Sequence, residues 1–109
     1  MNFEEYQQKS QKTAFYPDVG KNIAYPTLGL MGEAGEIANK VKKIYRDDKG
    51  KLTDDRKEML RKELGDVLWY VAQVSTELGL SLDDIAKLNL ERLLDRKERG
   101  TLHGDGDDR

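Results

Sequence analysis

The sequence predicts an all-α fold of four helices. Three observations carry this reading. Apolar residues recur at steps of three and four along separate stretches of the chain. Capping residues stand just ahead of three of those stretches, at Asn2, Thr53 and Ser81. No alternation of apolar and polar residues is long enough to make a strand.

In the first helix Asn2 is the N-cap, and Glu4 and Glu5 occupy the first turn, where the helix dipole favours negative charge. This helix is expected to reach about Phe15, with a thin apolar face of Phe3, Tyr6 and Ala14. Tyr16-Pro17-Asp18 breaks it, and residues 17–25 form a connector. Pro26 suits the first position of the second helix, whose stripe is Leu30, Ala34, Ile37, Val41 and Ile44. A polar loop over 46–51 follows. Thr53 caps the third helix, with Asp54 and Asp55 in its first turn and a stripe of Leu60, Leu64, Val67, Val71, Val74 and Leu78. Met59, Leu68, Trp69, Tyr70 and Ala72 make the same helix apolar on nearly every side, so it should be buried on every side. A four-helix chain of this length hardly achieves that alone, which predicts a subunit interface. Gly79 ends the third helix, Ser81 caps the fourth ahead of Asp83 and Asp84, and Gly100 ends the fourth.

A chain of 109 residues is one domain, here 1–100, with a polar Gly- and Asp-rich tail over 101–109. Hydrophobic and charged residues each make up 37% of the chain, so the core is narrow. A formal net charge of -2 exerts no pull toward nucleic acid. The absence of cysteine excludes disulfides, zinc–thiolate sites and a thiol nucleophile. The start, Met1 to Glu5, has neither the basic nor the apolar part of a secretory signal. No apolar run reaches the roughly 18 to 20 residues that span a bilayer. The expectation is a soluble, cytoplasmic protein with no membrane partner.

One phrase occurs twice. Glu33-Ala34-Gly35-Glu36-Ile37 and Glu63-Leu64-Gly65-Asp66-Val67 share the pattern Glu-x-Gly-acid-β-branched, thirty positions apart. Each copy puts two carboxylates three residues apart on one face of a helix. A single such pair is ordinarily a solvated face. Two pairs flanking apolar stripes are another matter, since four gathered carboxylates require cations. Each copy also accepts a glycine, which costs about 1 kcal/mol of helix propensity relative to alanine. Gly35 and Gly65 therefore imply a close approach by a backbone, a ring or a ligand.

Carboxylates without histidine or cysteine suit a hard ion such as Mg²⁺, Mn²⁺ or Ca²⁺. The one histidine, His103, lies in the tail, which argues against a di-iron centre built on Glu-x-x-His. Mg²⁺ sites of this kind are completed by substrate phosphates, which need cationic partners. Lys40 and Lys43 lie one and two turns beyond Glu36, and Asn89, Arg92 and Arg96 share a face of the fourth helix. Lys40 equally fits an ordinary i,i+4 pair with Glu36. Asn89 interrupts an apolar face, where its amide needs either a structural partner or a ligand.

Glu33-x-x-Glu36, a spacer and Glu63-x-x-Asp66 resemble the signature of the MazG-like all-α nucleoside triphosphate pyrophosphohydrolases. That superfamily includes the dimeric dUTPases, the dCTP pyrophosphatases and phosphoribosyl-ATP pyrophosphohydrolase. The resemblance runs from the first helix to Arg96, and Asn89-x-x-Arg92-x-x-x-Arg96 is similar to the family's last-helix pattern, with Arg92 where lysine is common. It implies a four-helix MazG-like bundle assembled as a dimer or dimer of dimers. It implies that Mg²⁺, with Mn²⁺ as a substitute, is held by Glu33, Glu36, Glu63 and Asp66 while a nucleoside triphosphate is cut to monophosphate and pyrophosphate. Glu36 or Glu63 would orient or deprotonate the attacking water. Asn89, Arg92 and Arg96 would hold the phosphates, with Lys40 and Lys43 beside them. Tyr70 matches a position that lies beside substrate in the dCTP branch.

Trp69, Tyr25, Tyr45 and Phe15 are each able to stack on a base, core or subunit packing being the other reading of Trp69. The tail resembles the end found in a phage- and bacteria-associated single-domain branch, and is either a loose terminus or a flap over a site. Asp105-Gly106-Asp107 lacks the spacing of a calcium loop, and Gly29-x-x-Gly32-x-x-Gly35 is no dinucleotide fingerprint. Two alternatives stand beside the hydrolase: a non-catalytic helical dimerisation module, and a phosphoribosyl-ATP pyrophosphohydrolase.

Overall fold

A computed structural model describes residues 1–100 as four helices: α1 (Phe3–Gln11), α2 (Ala24–Asp47), α3 (Asp54–Glu77) and α4 (Leu82–Arg99). Among the described residues there is no strand, and no helix is long and apolar enough to cross a membrane. The tail 101–109, with His103, lies outside the described residues. The predicted caps are in place. Asn2 accepts from the Glu5 amide, Thr53 from the Arg56 amide and Ser81 from the Asp84 amide. Gly79 and Gly100 take the left-handed conformation that closes α3 and α4.

Two helix boundaries differ from expectation. α1 ends at Gln11, short of Phe15. Past Gln11 the amides of Lys12, Thr13 and Ala14 bond back only three residues, to Lys9, Ser10 and Gln11, and the Thr13 hydroxyl also takes the Ser10 carbonyl that another α-turn would have used. α2 begins at Ala24, which makes Pro26 its third residue. Asn22 does the capping, its Oδ1 accepting from the Tyr25 amide at 3.0 Å. The missing N–H of Pro26 still falls among the first four, which have no intrahelical partner.

α2 and α3 form an antiparallel hairpin that makes up most of the molecule. Lys49 and Gly50, both at positive φ, turn the chain between them. Arg56 fastens the turn with ion pairs to Asp48 at 3.0 Å and Asp47 at 3.7 Å. Residue pairs across the hairpin fix its register: Gly29 lies against Tyr70, Glu33 against Glu63 and Asp66, and Lys40 against Glu63.

α1 packs on α3 through polar contacts. Gln73, 1% exposed, donates to Ser10 Oγ at 2.9 Å, and Trp69 Nε1 donates to Thr13 Oγ1 at 2.8 Å. Gln7 bonds Thr76, the Leu80 carbonyl and the Leu82 amide, which ties α1 to the corner between α3 and α4. α4 packs on α1 and α3 and makes no close backbone contact with α2 among the described residues.

The buried apolar set is small: Ala14, Tyr16, Ile44, Ala72 and Leu82. Within one chain the third helix is not covered on every side, because Met59, Leu64 and Leu78 stay exposed. Ala34 and Val41, from the expected stripe of the second helix, are exposed too. Leu28 and Met31 on α2 are 71% and 66% exposed. The radius of gyration is 16.8 Å, against about 13 Å for a compact chain of this length.

The glycines bear on a further expectation. Within the chain nothing stands within 4 Å of where a Cβ would project at Gly35 or Gly65. The close approach is at Gly29, where a Cβ would overlap the Tyr70 ring. Replacing Gly29 by alanine should therefore cost about 1–3 kcal/mol of overpacking against a gain of about 1 kcal/mol in helix propensity. Denaturant unfolding should show Gly29→Ala destabilised relative to the wild type. Unchanged or raised stability of this variant would mean that Tyr70 does not lie on Gly29.

Candidate metal centre

Two rows of side chains face each other along the hairpin. On α2 the row is Tyr25, Gly29 and Glu33, one turn apart; on α3 it is Tyr70, Asp66 and Glu63. Because the helices are antiparallel, the carboxylates of Glu33, Glu63 and Asp66 meet at mid-groove. One oxygen from each lies within 4.8 Å of the others. Glu33 and Glu63 are half-buried and Asp66 is exposed. Glu36 stands at the margin with its side chain 55% exposed.

The centre carries more negative charge than its surroundings neutralise. Lys40 is the nearest cation, its Nζ 3.1 Å from Glu63 Oε1 and 3.6 Å from Glu36 Oε2. Those two carboxylates, with Glu63 first, hold the ammonium above its ordinary pKa against the effect of its partial burial. Glu63 Oε2 is buried and accepts no hydrogen bond from any amide, hydroxyl or ammonium. The group available to it is the Glu33 carboxyl, and only in its protonated form. That shared proton, then burial and the charges of Glu63, Asp66 and Glu36, push Glu33 up to about 7. Glu63 is correspondingly lowered, by its bond with Glu33 and then by Lys40.

An orphaned buried carboxylate oxygen, beside two further carboxylates and no nitrogen or sulfur ligand, fits a hard divalent cation. Mg²⁺ and Mn²⁺ take this donor set; the softer transition metals prefer imidazole or thiolate. Glu33, Glu63 and Asp66 would hold such an ion, and Glu36 is one turn away on the same side of α2.

Tyrosines fringe the acids. The Tyr70 phenol is pushed up by burial, then by Tyr25, Glu33 and Asp66, which places its hydroxyl within electrostatic reach of all three. Tyr6 is raised by burial and then by Asp66. A cavity of about 290 Å³ borders Tyr6 and is otherwise lined by Met1, Asn2, Phe3, Leu68 and Asp83, so it contains none of the clustered carboxylates.

The remaining candidates lie toward the hairpin turn and on α4. Lys43 sits toward the hairpin turn, where it adds to the effect of Arg46 and Arg56 in holding Asp47 below its ordinary pKa. Asn89 and Arg92 are exposed on α4 and Arg96 is buried there. α4, which carries these three, packs on α1 and α3 and makes no close backbone contact with α2 among the described residues.

Sequence reasoning missed Glu77. Its carboxylate accepts from the Tyr16 hydroxyl at 2.6 Å, the Gly20 amide at 2.8 Å and the Asn22 amide at 3.4 Å. These bonds, Tyr16 foremost, hold Glu77 below its ordinary pKa. A signal was present: a glutamate as the last residue of a helix opposes the macrodipole and needs donors of its own.

Among known proteins, the MazG nucleotide pyrophosphohydrolase domain matches residues 24–101 of this chain. The Gene 37 protein of Mycobacterium phage L5 is 46% identical over an alignment of length 114 that spans the whole of both chains. The YvdC protein of Bacillus subtilis (strain 168) is 38% identical over 74 residues, 63% of this chain and 70% of that one. No solved structure matches.

The carboxyl pair sets a pH dependence. Glu33 has a folded pKa raised from 4.5 to about 7, so its stabilising contribution is complete below 4.5 and is lost as pH rises through about 7. Metal-free protein should show this centre's contribution to thermal stability falling across that window. Added Mg²⁺ should restore it, most at the alkaline end. Mg²⁺-independent melting across the whole window would count against convergence of the three acids on an ion.

Proposed function

The chain belongs to the MazG nucleotide pyrophosphohydrolase family, and we propose that it hydrolyses nucleoside triphosphates to nucleoside monophosphates and pyrophosphate with Mg²⁺ as cofactor. Mn²⁺ is the expected substitute. The observation that carries this reading is the meeting of Glu33, Glu63 and Asp66 around a buried Glu63 oxygen that no amide, hydroxyl or ammonium reaches.

Bound Mg²⁺ supplies two things to such a reaction: it neutralises phosphate oxygens and lowers the pKa of water. The rest falls to the chain. Glu33, Glu63 and Asp66 provide fixed negative charge where the cation is needed. Glu36, exposed at the margin, can accept a proton from the attacking water; Glu63 is the other base within the cluster. The water oxygen bonds to the α-phosphorus, the bond from that phosphorus to the bridging oxygen breaks, and pyrophosphate leaves. Lys40 neutralises Glu63 and Glu36. With a divalent ion held by the acids, its ammonium would be free to turn to a phosphate oxygen, and Lys43 is one turn further along the same helix. Asn89, Arg92 and Arg96 complete the phosphate grip, by way of α4 of the same or a neighbouring copy. No covalent nucleophile is called for.

The assembly belongs to the same proposal: a homodimer or a dimer of dimers. Leu28, Met31 and Leu64 are largely exposed in the single chain, and Gly32, Gly35 and Gly65 lie open on the same hairpin. A second helix pair laid on that surface would bury it and would supply the close approach that Gly35 and Gly65 lack within one chain. Nucleic acid and membrane are not among the proposed partners.

Glu63→Gln and Asp66→Asn should each lower Mg²⁺-dependent turnover by at least a hundredfold, on the order of 3 kcal/mol of transition-state stabilisation. Helical circular dichroism should be retained. Product identification on a panel of ribo- and deoxyribonucleoside triphosphates should find monophosphate and pyrophosphate. Orthophosphate as the sole inorganic product would mean that a different bond is cut, and full activity in both variants would remove the ligand assignment. Light scattering should give at least twice the chain mass.

A further inference from the structure

We propose that Tyr25 is the platform on which the nucleobase stacks, and therefore a substrate-binding residue of the hydrolase reading, on which this inference rests. Tyr16 and Tyr25 are stacked with ring centroids 4.8 Å apart and planes within 10°. Tyr16 is buried, while Tyr25 is 43% exposed. One face of Tyr25 is therefore backed by a ring and the ring retains open surface.

The stack is held firmly. Tyr16 donates to Glu77 at 2.6 Å, and the same carboxylate takes the Gly20 and Asn22 amides. Asn22 caps the Tyr25 amide, and its Nδ2 donates to the Pro17 carbonyl at 2.8 Å. One carboxylate and one amide thus fix both rings of the stack. This is more than a connector needs in order to turn.

The position also suits a nucleotide. Tyr25, Gly29 and Glu33 follow one another at single-turn spacing on α2, so the stack lies two turns, about 12 Å along the axis, from the first metal-binding carboxylate. Tyr70, whose ring lies against Gly29, occupies the level between. A triphosphate anchored at the acids would lead its sugar past Tyr70 toward Tyr25. The other aromatic candidates fit less well. Trp69 is committed to Thr13 and meets Tyr70 edge-on. Tyr45 lies twelve residues beyond Glu33, about 18 Å toward the hairpin turn. Phe15 is 87% exposed in the connector, outside the row of α2.

Stacking on an aromatic is sequence-tolerant and worth about 1–3 kcal/mol per base. The test compares kcat/KM for a nucleoside triphosphate and for ribose 5-triphosphate, which lacks the base, in wild type, Tyr25→Ala, Tyr25→Leu and Tyr25→Trp. The wild-type preference for the nucleotide should shrink about ten- to a hundredfold in Tyr25→Ala. It should shrink similarly in Tyr25→Leu, which keeps an apolar contact for Tyr16, and be recovered in Tyr25→Trp. The loss should fall in KM more than in kcat. A preference unchanged in both Tyr25→Ala and Tyr25→Leu would overturn the platform while leaving the hydrolase standing. Parallel loss on both substrates with a fall in molecular mass would overturn it too, by making Tyr25 an interface residue. Failure of the wild type to cleave either substrate would instead bring down the hydrolase reading, and the platform with it.

Discussion

The register of α2 against α3 is the constraint on which the rest depends. It brings carboxylates of like charge together at mid-groove, an arrangement that costs free energy in the absence of a counter-ion. The hairpin tolerates it because its ends are secured by other means. Arg56 clamps the turn to Asp47 and Asp48, and the Tyr70 ring lies on Gly29 at the other end. Between these fastenings Lys40 and a shared proton take up the charge. The centre is thus preorganised by contacts outside itself. Loss of Lys40 or of the proton leaves the carboxylates where the helices put them, so little rearrangement is required when a cation arrives.

Most of the fold was legible because helices announce themselves locally. The caps at Asn2, Thr53 and Ser81 and the stop glycines 79 and 100 act through their own backbone neighbours, so the sequence states them directly. The boundaries near residues 12 and 24 were less legible, because Ser10, Thr13 and Asn22 act there through side chains that had several possible partners. The acid cluster was legible as a repeated phrase, since two copies of one spacing on neighbouring helices must face the same way or be wasted. Which acids converge was not. Glu36 and Glu33 are equivalent in the phrase, yet the crossing of the helices turns Glu33 into the groove and leaves Glu36 at its edge. The glycines show the same limit. Their cost in helix propensity marked Gly35 and Gly65 as unusual, but which glycine a ring rests on depends on register, and the register selects Gly29.

The thin core bears on how the chain can be stable at all. A domain of this size ordinarily buries about two-thirds of the surface its unfolded chain exposes. Here Leu28, Met31 and Val41 of α2 and Met59, Leu64 and Leu78 of α3 are open in a single copy, and much of the packing between α1 and α3 is made by Gln7, Gln73 and Trp69 through hydrogen bonds. Hydrogen bonds of that kind contribute only about 1 kcal/mol each. They specify where α1 sits more than they hold it down. An assembly that covers Leu28, Met31 and Leu64 would supply the missing apolar burial and would do so on the same hairpin that carries the acids. Folding, association and metal binding would then share one structural element, and a change at any of them would be felt at the others.

Glu77 shows how that sharing reaches the connector. A carboxylate at the C-terminus of α3 faces the negative end of the helix dipole, and it persists there by accepting three bonds from residues 16–22. The connector in turn receives its shape from those bonds. Asp18 and Gly20 adopt positive φ, a conformation that costs a non-glycine residue energy unless its surroundings impose it. Protonation of Glu77 would remove its charge and weaken each bond. Its depressed pKa means that the clasp contributes stability above the ordinary carboxylate value, and that this is lost as pH falls through the lowered one. The proton shared by Glu33 and Glu63 behaves oppositely, since it is lost as pH rises through about 7. The two ends of one groove therefore respond to acid in contrary directions: the connector end is firmest when the carboxylate end, without a cation, is under greatest repulsion. That is also the condition in which the carboxylate end has most to gain from a divalent ion, so the chain is best shaped to receive one under conditions in which Tyr16 and Tyr25 are held in place.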